Sequence, residues 1–146
     1  MADLPRITIY TDGACEPNPG PGGWAALLIS GQHEKELCGA EGETTNNRME
    51  LTAAVKALGA LKSTSRVDFY TDSEYLRRGI SEWLPDWRRR GWKRKGGALK
   101  NIDLWQALEA SLKEHSITWH WVRGHAGDRF NQRVDSLARK AMRNHP

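Results

Sequence analysis

Two short runs, I-T-I-Y-T-D-G at residues 7–13 and V-D-F-Y-T-D-S at residues 67–73, constrain this chain more than anything else in it. Each is rich in β-branched and aromatic residues, which suit a pleated strand, and each ends Tyr-Thr-Asp before a small residue that lets the chain turn. In the first run Ile7, Ile9 and Thr11 point to one face and Thr8 and Tyr10 to the other. Both faces are largely uncharged, the pattern of a strand inside a sheet rather than at its surface. Asp12 and Asp72 are thereby predicted at the carboxyl ends of two strands that open on one edge. Aspartate also starts turns and caps helices, so one such acid would mean little. The repetition is what gives the pair weight.

The remaining elements follow in order. Residues 15–23 read C-E-P-N-P-G-P-G-G, in which prolines and glycines alternate, and this predicts a loop or hairpin connection. Gly20, Gly22 and Ala25 fit a relaxed dinucleotide fingerprint, but that motif must open a helix, and residues 24–30 read as a short apolar strand. The dinucleotide reading is rejected. A third strand is expected at residues 33–42. A helix then follows with Leu51, Ala54, Val55, Leu58 and Leu61 as its apolar stripe. Asn47 and Glu50 have capping-box spacing, which would give Glu50 a structural task. Equally, Glu50 lies in the first turn, where it could reach past the helix end to the strand edge.

After the strand at 67–71, residues 75–80 and 82–90 read as short helices parted near Gly79 and halted by Gly91. A helix is expected at 101–113 with Ile102, Leu104, Trp105, Leu108 and Leu112 inward, and a fifth strand at 117–122. His125 follows in a glycine-bracketed loop, R-G-H-A-G-D. The last helix, residues 129–143, buries Phe130, Val134, Leu137, Ala138 and Ala141, and Asp135 sits on the shoulder of that stripe. An acid there is costly unless something compensates it.

The order β-β-β-α-β-α-β-α predicts an α/β fold: a five-stranded mixed sheet flanked by helices on both faces, with function at the carboxyl ends of the strands. A chain of 146 residues fits one domain and buries about two thirds of its unfolded surface, so no disulfide or metal is needed to hold it together. Cys15 and Cys38 are expected as free thiols in a reducing cytoplasm, because no apolar signal region opens the chain. No run has the length of a membrane span, and the mean hydropathy is -0.70, so no membrane role is expected.

The net charge of +4 comes from one place. Residues 77–100 hold nine Lys or Arg against Glu82 and Asp86, whereas the rest of the chain carries 13 basic and 16 acidic residues. Such a segment is either a solvated face or the footprint of a polyanionic partner. Trp83, Trp87 and Trp92 lie among these cations. They are core residues at helical spacing, or a platform on which sugars and bases stack.

Chemistry narrows the choice. Asp12 and Asp72 end strands, and Glu50 and Asp135 flank buried helix stripes able to face them. Two carboxylates about 4 Å apart repel by roughly 4 kcal/mol at an effective dielectric near 20, so four together require protons or cations. Oxygen-only ligands select a hard ion such as Mg²⁺ or Mn²⁺, and the chain has no Cys/His ligand cluster to suggest zinc. Divalent ions among carboxylates, beside a basic groove, point to phosphodiester hydrolysis.

T-D-G with N-P-G-P-G-G, T-T-N-N-R-M-E-L, Y-T-D-S, the tryptophan-rich basic segment, K-N-I-D-L-W, and W-V-R-G-H-A-G followed by N-Q-R-V-D together resemble bacterial type 1 ribonuclease H, in order and over nearly the whole chain. The resemblance implies a monomeric endonuclease that hydrolyses the RNA strand of an RNA/DNA hybrid without sequence preference, leaving 5′-phosphate and 3′-hydroxyl ends, with two Mg²⁺ ions bound alongside substrate. It implies that Asp12 bridges both ions, that Asp135 helps hold the one carrying the attacking water, that Glu50 and Asp72 hold the other, and that His125 assists proton transfer or product departure. Cys15, Asn18, Asn46 and Asn47 match positions that contact the RNA strand, where the 2′-hydroxyl distinguishes RNA from DNA. Thr45 and Asn101 match a pocket for a DNA phosphate. Residues 83–100, with Trp83, Arg88, Arg89, Arg90, Trp92 and Lys93, match a basic protrusion that grips the DNA strand. With no added hybrid-binding segment, processivity is expected to be low.

Three departures from the family pattern stand out. Glu43 occupies the place of a basic residue of the phosphate pocket, Glu74 that of a neutral residue near the minor groove, and Asp128 to Phe130 with Gln132 differ between the histidine and the last acid. The rivals are a DNA-cutting nuclease or transposase of the same fold and a silent hybrid-binding module.

Overall fold

The computed structural model describes residues 4–92, 100–123 and 128–144. Five strands, β1 (Arg6–Cys15), β2 (Gly20–Ser30), β3 (His33–Thr44), β4 (Arg66–Thr71) and β5 (Ser116–Trp121), form one sheet in the order β3-β2-β1-β4-β5. β1, β4 and β5 run parallel and β2 is antiparallel to both of its neighbours, so the sheet is mixed. The helices are α1 (Asn46–Gly59), α2 (Glu74–Arg78), α3 (Leu84–Arg89), α4 (Ile102–Glu114) and α5 (Arg129–Arg143).

Each sheet face is covered. On one, Ile9, Phe69, Leu51, Leu58 and Trp105 join in a core beneath α1 to α4. On the other, Tyr10, Ala25 and Leu27 meet Val134 and Ala138 of α5. Phe69 is wholly buried, and replacing such a ring by alanine costs about 3–5 kcal/mol.

Four expectations are corrected. First, Asp12 does not end its strand. β1 runs on to Cys15, paired to β2 with Asp12 opposite Ala25, and only its parallel pairing to β4 stops at Tyr10↔Tyr70. Gly13 is therefore a strand residue rather than a turn. Second, the connection at 15–23 shrinks to residues 16–19, because Gly20 to Gly23 belong to β2. Pro21 is accommodated by a register shift between Gly20 and Gly22, where no ladder N–H is required of it.

Third, the N-cap of α1 is Thr45, whose Oγ1 accepts the Arg48 N–H at 3.1 Å, so Asn47 and Glu50 form no capping box. Fourth, Gly79 separates nothing. α2 passes into a π-helical segment, Gly79–Trp83, and on into α3. The glycine is needed for contact: a Cβ there would fall 2.0 Å from the Trp105 ring. α5 spans the predicted residues, capped by Asp128, whose Oδ1 accepts from the Phe130 and Asn131 N–H groups.

Candidate active site

The parallel register aligns Tyr10 with Tyr70, so Asp12 and Asp72, each two residues further on, come level where the strands part. Helix α1 adds Glu50. A Cβ on Gly13 would lie 2.5 Å from the Glu50 nitrogen and 2.7 Å from the Met49 carbonyl carbon, so only glycine lets the helix sit this close to the strand. Carboxylate oxygens of Asp12, Glu50 and Asp72 lie within 4.8 Å of one another. Asp135, on the first two turns of α5, contacts the Asp12 carboxyl and is itself hydrogen-bonded by Arg139 Nε at 3.1 Å.

This crowding has a measurable consequence. Burial, then the charge of Asp72, then contact with Asp135 push the Asp12 carboxyl up to about 8. Burial and Asp72 push Glu50 up to about 7, and a hydrogen bond from Ser73 opposes that rise. Asp12 is 7% exposed; its Oδ1 accepts the Gly13 N–H at 2.9 Å, while its Oδ2 is buried with no donor among the described residues.

A buried carboxylate oxygen without a donor, facing two further carboxylates, fits a hard divalent cation. The Cys15 sulfur is no competitor as a ligand, since it lies 3.3–3.5 Å from the carbonyl oxygens of Pro17, Gly20 and Thr44. The charge of Glu43 bears on this thiol, which burial holds above its ordinary range.

The other nominated residues gather around the amino end of α1. Asn18 Oδ1 accepts the Asn46 N–H at 3.2 Å, which ties the β1–β2 loop to the helix. A cavity of about 520 Å³ lies beside them, lined by Asn18, Thr45, Asn47, Trp83, Trp87 and Asn101, with Tyr75 and Lys100. Trp83 and Trp87 pack as core residues, their rings meeting Trp105 edge-on, and they also wall this cavity.

The basic run is partly neutralised. Arg88 pairs with Glu109, an acid only 7% exposed, and Arg89 and Arg90 both reach Asp86. Trp92 packs on Trp87, while Lys93 and His125 lie outside the described residues. Glu74 is exposed and paired with Arg77. Phe130 packs on Tyr10 beneath Arg129, and Asp128 caps α5, so the departures at 128–130 anchor the helix that carries Asp135.

Three contributors escaped the sequence reading. Ser73 caps α2 through the Leu76 N–H and also bonds Glu50; a serine just before E-Y-L was a legible cap signal. Asn131 and Glu109 are buried polar residues that no local pattern announces.

A family model described as RNase H matches residues 5–143. The chain belongs to the RNase H family. The Ribonuclease H of Bradyrhizobium diazoefficiens is 57% identical over 143 residues, covering 97% of this chain and 93% of that protein. That of Cupriavidus metallidurans is 56% identical over 140 residues, covering 95% and 97%. Among solved structures, LC9-RNase H1, a type 1 RNase H with the type 2 active-site motif, superposes with a TM-score of 0.89 at 34% identity, over all of this chain and 76% of that one. LC11-RNase H1 in complex with RNA/DNA hybrid shares the fold, with a TM-score of 0.69 at 23% identity, covering 94% of this chain and 96% of that one. As a ribonuclease H, the chain is a metal-dependent nuclease, which accords with an all-carboxylate centre.

Proposed function

We propose that the chain is an endonuclease that hydrolyses the RNA strand of RNA/DNA hybrids, with Asp12, Glu50, Asp72 and Asp135 as its catalytic carboxylates. The observation that carries this is the buried Asp12 Oδ2, left without a donor amid two neighbouring carboxylates at the edge where β1 and β4 part. Mg²⁺, or Mn²⁺ in its place, would be held by these four acids, Asp12 serving two ions. Bound ions supply the positive charge that activates water and stabilises the leaving oxygen, giving 5′-phosphate and 3′-hydroxyl ends.

The chain's own residues do the rest. Asp12 gives up its proton on loading, since its carboxyl stands near 8 without a cation. Ser73 orients Glu50 through its hydroxyl. His125, in the loop before α5, would move a proton at the leaving group or speed product departure. Cys15, Asn18, Asn46 and Asn47 line the approach of the RNA strand, Thr45 and Asn101 a DNA phosphate, and residues 83–100, with Trp83, Trp92 and Lys93, the DNA strand beyond it. Among the described residues Leu4 is the one exposed large apolar side chain, which supports a monomer. The two free thiols suit the cytoplasm, and no described helix is long and apolar enough to cross a membrane.

The test is direct: labelled RNA/DNA, RNA/RNA and DNA/DNA duplexes are incubated with and without Mg²⁺. Cleavage confined to RNA/DNA with metal is expected. Cutting of DNA/DNA, or of nothing, would sink the proposal.

A further inference from the structure

Close to the cavity at the amino end of α1 stands Arg48, a half-buried residue of that helix whose guanidinium is engaged by Asp103 and Asn101, both outside the acid cluster. Its guanidinium is held by two bonds to Asp103, Nη2 to Oδ2 at 3.0 Å and Nη1 to Oδ1 at 3.3 Å, with Glu41 Oε1 3.8 Å from Nε. The same Nη1 donates to Asn101 Oδ1 at 3.2 Å. On the far side of that amide, Asn101 Nδ2 donates to the Tyr75 hydroxyl at 3.1 Å, and the hydroxyl also accepts from Trp105 Nε1 at 3.1 Å.

The chemistry of these groups decides their orientation. An asparagine amide has two ends of nearly equal shape, one accepting and one donating. A guanidinium only donates, so the end it faces must be the oxygen. Turning the amide over would lose that bond and set an NH₂ group against a cation. With Oδ1 committed to Arg48, Nδ2 keeps one hydrogen for Tyr75 and one for the cavity. Tyr75 accepts two bonds, and among the described residues nothing takes its own hydrogen, which is therefore also left for the cavity it lines. A phosphate oxygen only accepts, and meets two donors there, together with the Thr45 hydroxyl and Lys100. A flipped Asn101 would present it with a carbonyl oxygen.

We propose that Arg48 is a positioning residue for hybrid binding: anchored on Asp103, it locks the Asn101 side chain so that donors alone face the DNA phosphate. Its charge is already matched by Asp103 and Glu41, so it acts through Asn101 rather than as a phosphate ligand itself. Asn101 also begins α4 in the left-handed region, with φ 58°, a conformation asparagine tolerates and most residues do not. This assignment rests on the proposed cleavage of RNA/DNA hybrids.

A double-mutant cycle on KM for a labelled RNA/DNA duplex tests it, with thermal unfolding of each variant alongside. The variants are Arg48→Ala, Arg48→Lys, Asn101→Gly, which suits the left-handed backbone, and the Arg48→Ala/Asn101→Gly pair. Each of Arg48→Ala and Asn101→Gly is expected to raise KM, by about tenfold for a lost charge-assisted contact. The double variant should be no worse in KM than Asn101→Gly alone, although its stability losses accumulate. Arg48→Lys, which also only donates, should recover part of the KM. Multiplying KM effects in the double variant, or an unchanged KM in Asn101→Gly, would overturn the positioning role. Failure of the unaltered protein to cut the hybrid would overturn the cleavage reading instead.

Discussion

Replacing Asp12 by asparagine removes one charge from a site that repels itself, and the metal-free protein should become more stable by an amount that depends on pH. An aspartate titrates near 3.8 in the unfolded chain and near 8 in the folded one, a gap of roughly four pH units. Because the folded value is raised, the penalty is absent below about pH 4, where the carboxyl is neutral in both states. It grows as pH rises and the unfolded chain ionises first, and it levels off above about pH 8. Each pH unit in that window costs about 1.4 kcal/mol, or about 4 kcal/mol by pH 7 for a site that does not relax.

Asparagine avoids this cost. Its Oδ1 can keep the Gly13 N–H, and its NH₂ finds acceptors in Asp72 and Asp135, which face the same carboxyl now. With partial relaxation the gain should be about 2–4 kcal/mol at neutral pH and close to zero at pH 4, which for a chain of this size raises Tm by several degrees. Denaturant unfolding with chelator present, at about pH 4, 5.5 and 7, measures it directly. Hydrolysis of the hybrid should be lost at the same time. An asparagine variant less stable than the parent, or equally stabilised at every pH, would refute the electrostatic account of the site.

The metal-free parent should lose stability between about pH 4 and 8, and added Mg²⁺ should restore more of it at pH 8 than at pH 5; calorimetry at two buffer ionisation enthalpies should detect protons released on binding, because Asp12 and Glu50 are held above the usual carboxylate range. Gly13→Ala forces a Cβ to within 2.5 Å of the α1 backbone and should cost more than about 2 kcal/mol in unfolding experiments, with activity falling further as Glu50 moves. Neutralising Arg89 and Arg90 should lower the salt slope of hybrid binding by about one per lost phosphate contact. Arg88→Ala should act mainly on stability, by stranding the buried Glu109, and thermal melts separate the two effects.

Much of the architecture was legible because period-two and helical patterns alternate cleanly along the chain. α5 is the clearest instance: a five-residue apolar stripe at helical spacing, Phe130, Val134, Leu137, Ala138 and Ala141, defines it without reference to anything distant. The errors arose where a local rule met a tertiary contact. Gly13, Gly22 and Gly79 read as breaks, yet two lie in strands and the third under an indole, each present because another element comes too close for a Cβ. The convergence of Asp12 and Asp72 could be read from two similar strand endings, and that of Glu50 only as one of two alternatives. No pattern linked Arg48 to Asp103, 55 residues away, or Arg88 to Glu109, since side-chain pairs between helices leave no periodic trace.

The parallel ladder between β1 and β4 also acts as a gauge. The separation of Asp12 from Asp72 is fixed by the pairing of Tyr10 with Tyr70 and by two further residues on each strand, so the length of the chain joining them does not enter. Residues added in the connection at 61–64 would leave the site's dimensions unchanged. A single residue deleted within β4 would turn the Asp72 position from the face of Tyr70, which α5 covers, to the face of Phe69 beneath α1 to α4, out of step with Asp12. The spacing of the two acids is thus tolerant of drift in the loops and intolerant of drift in register.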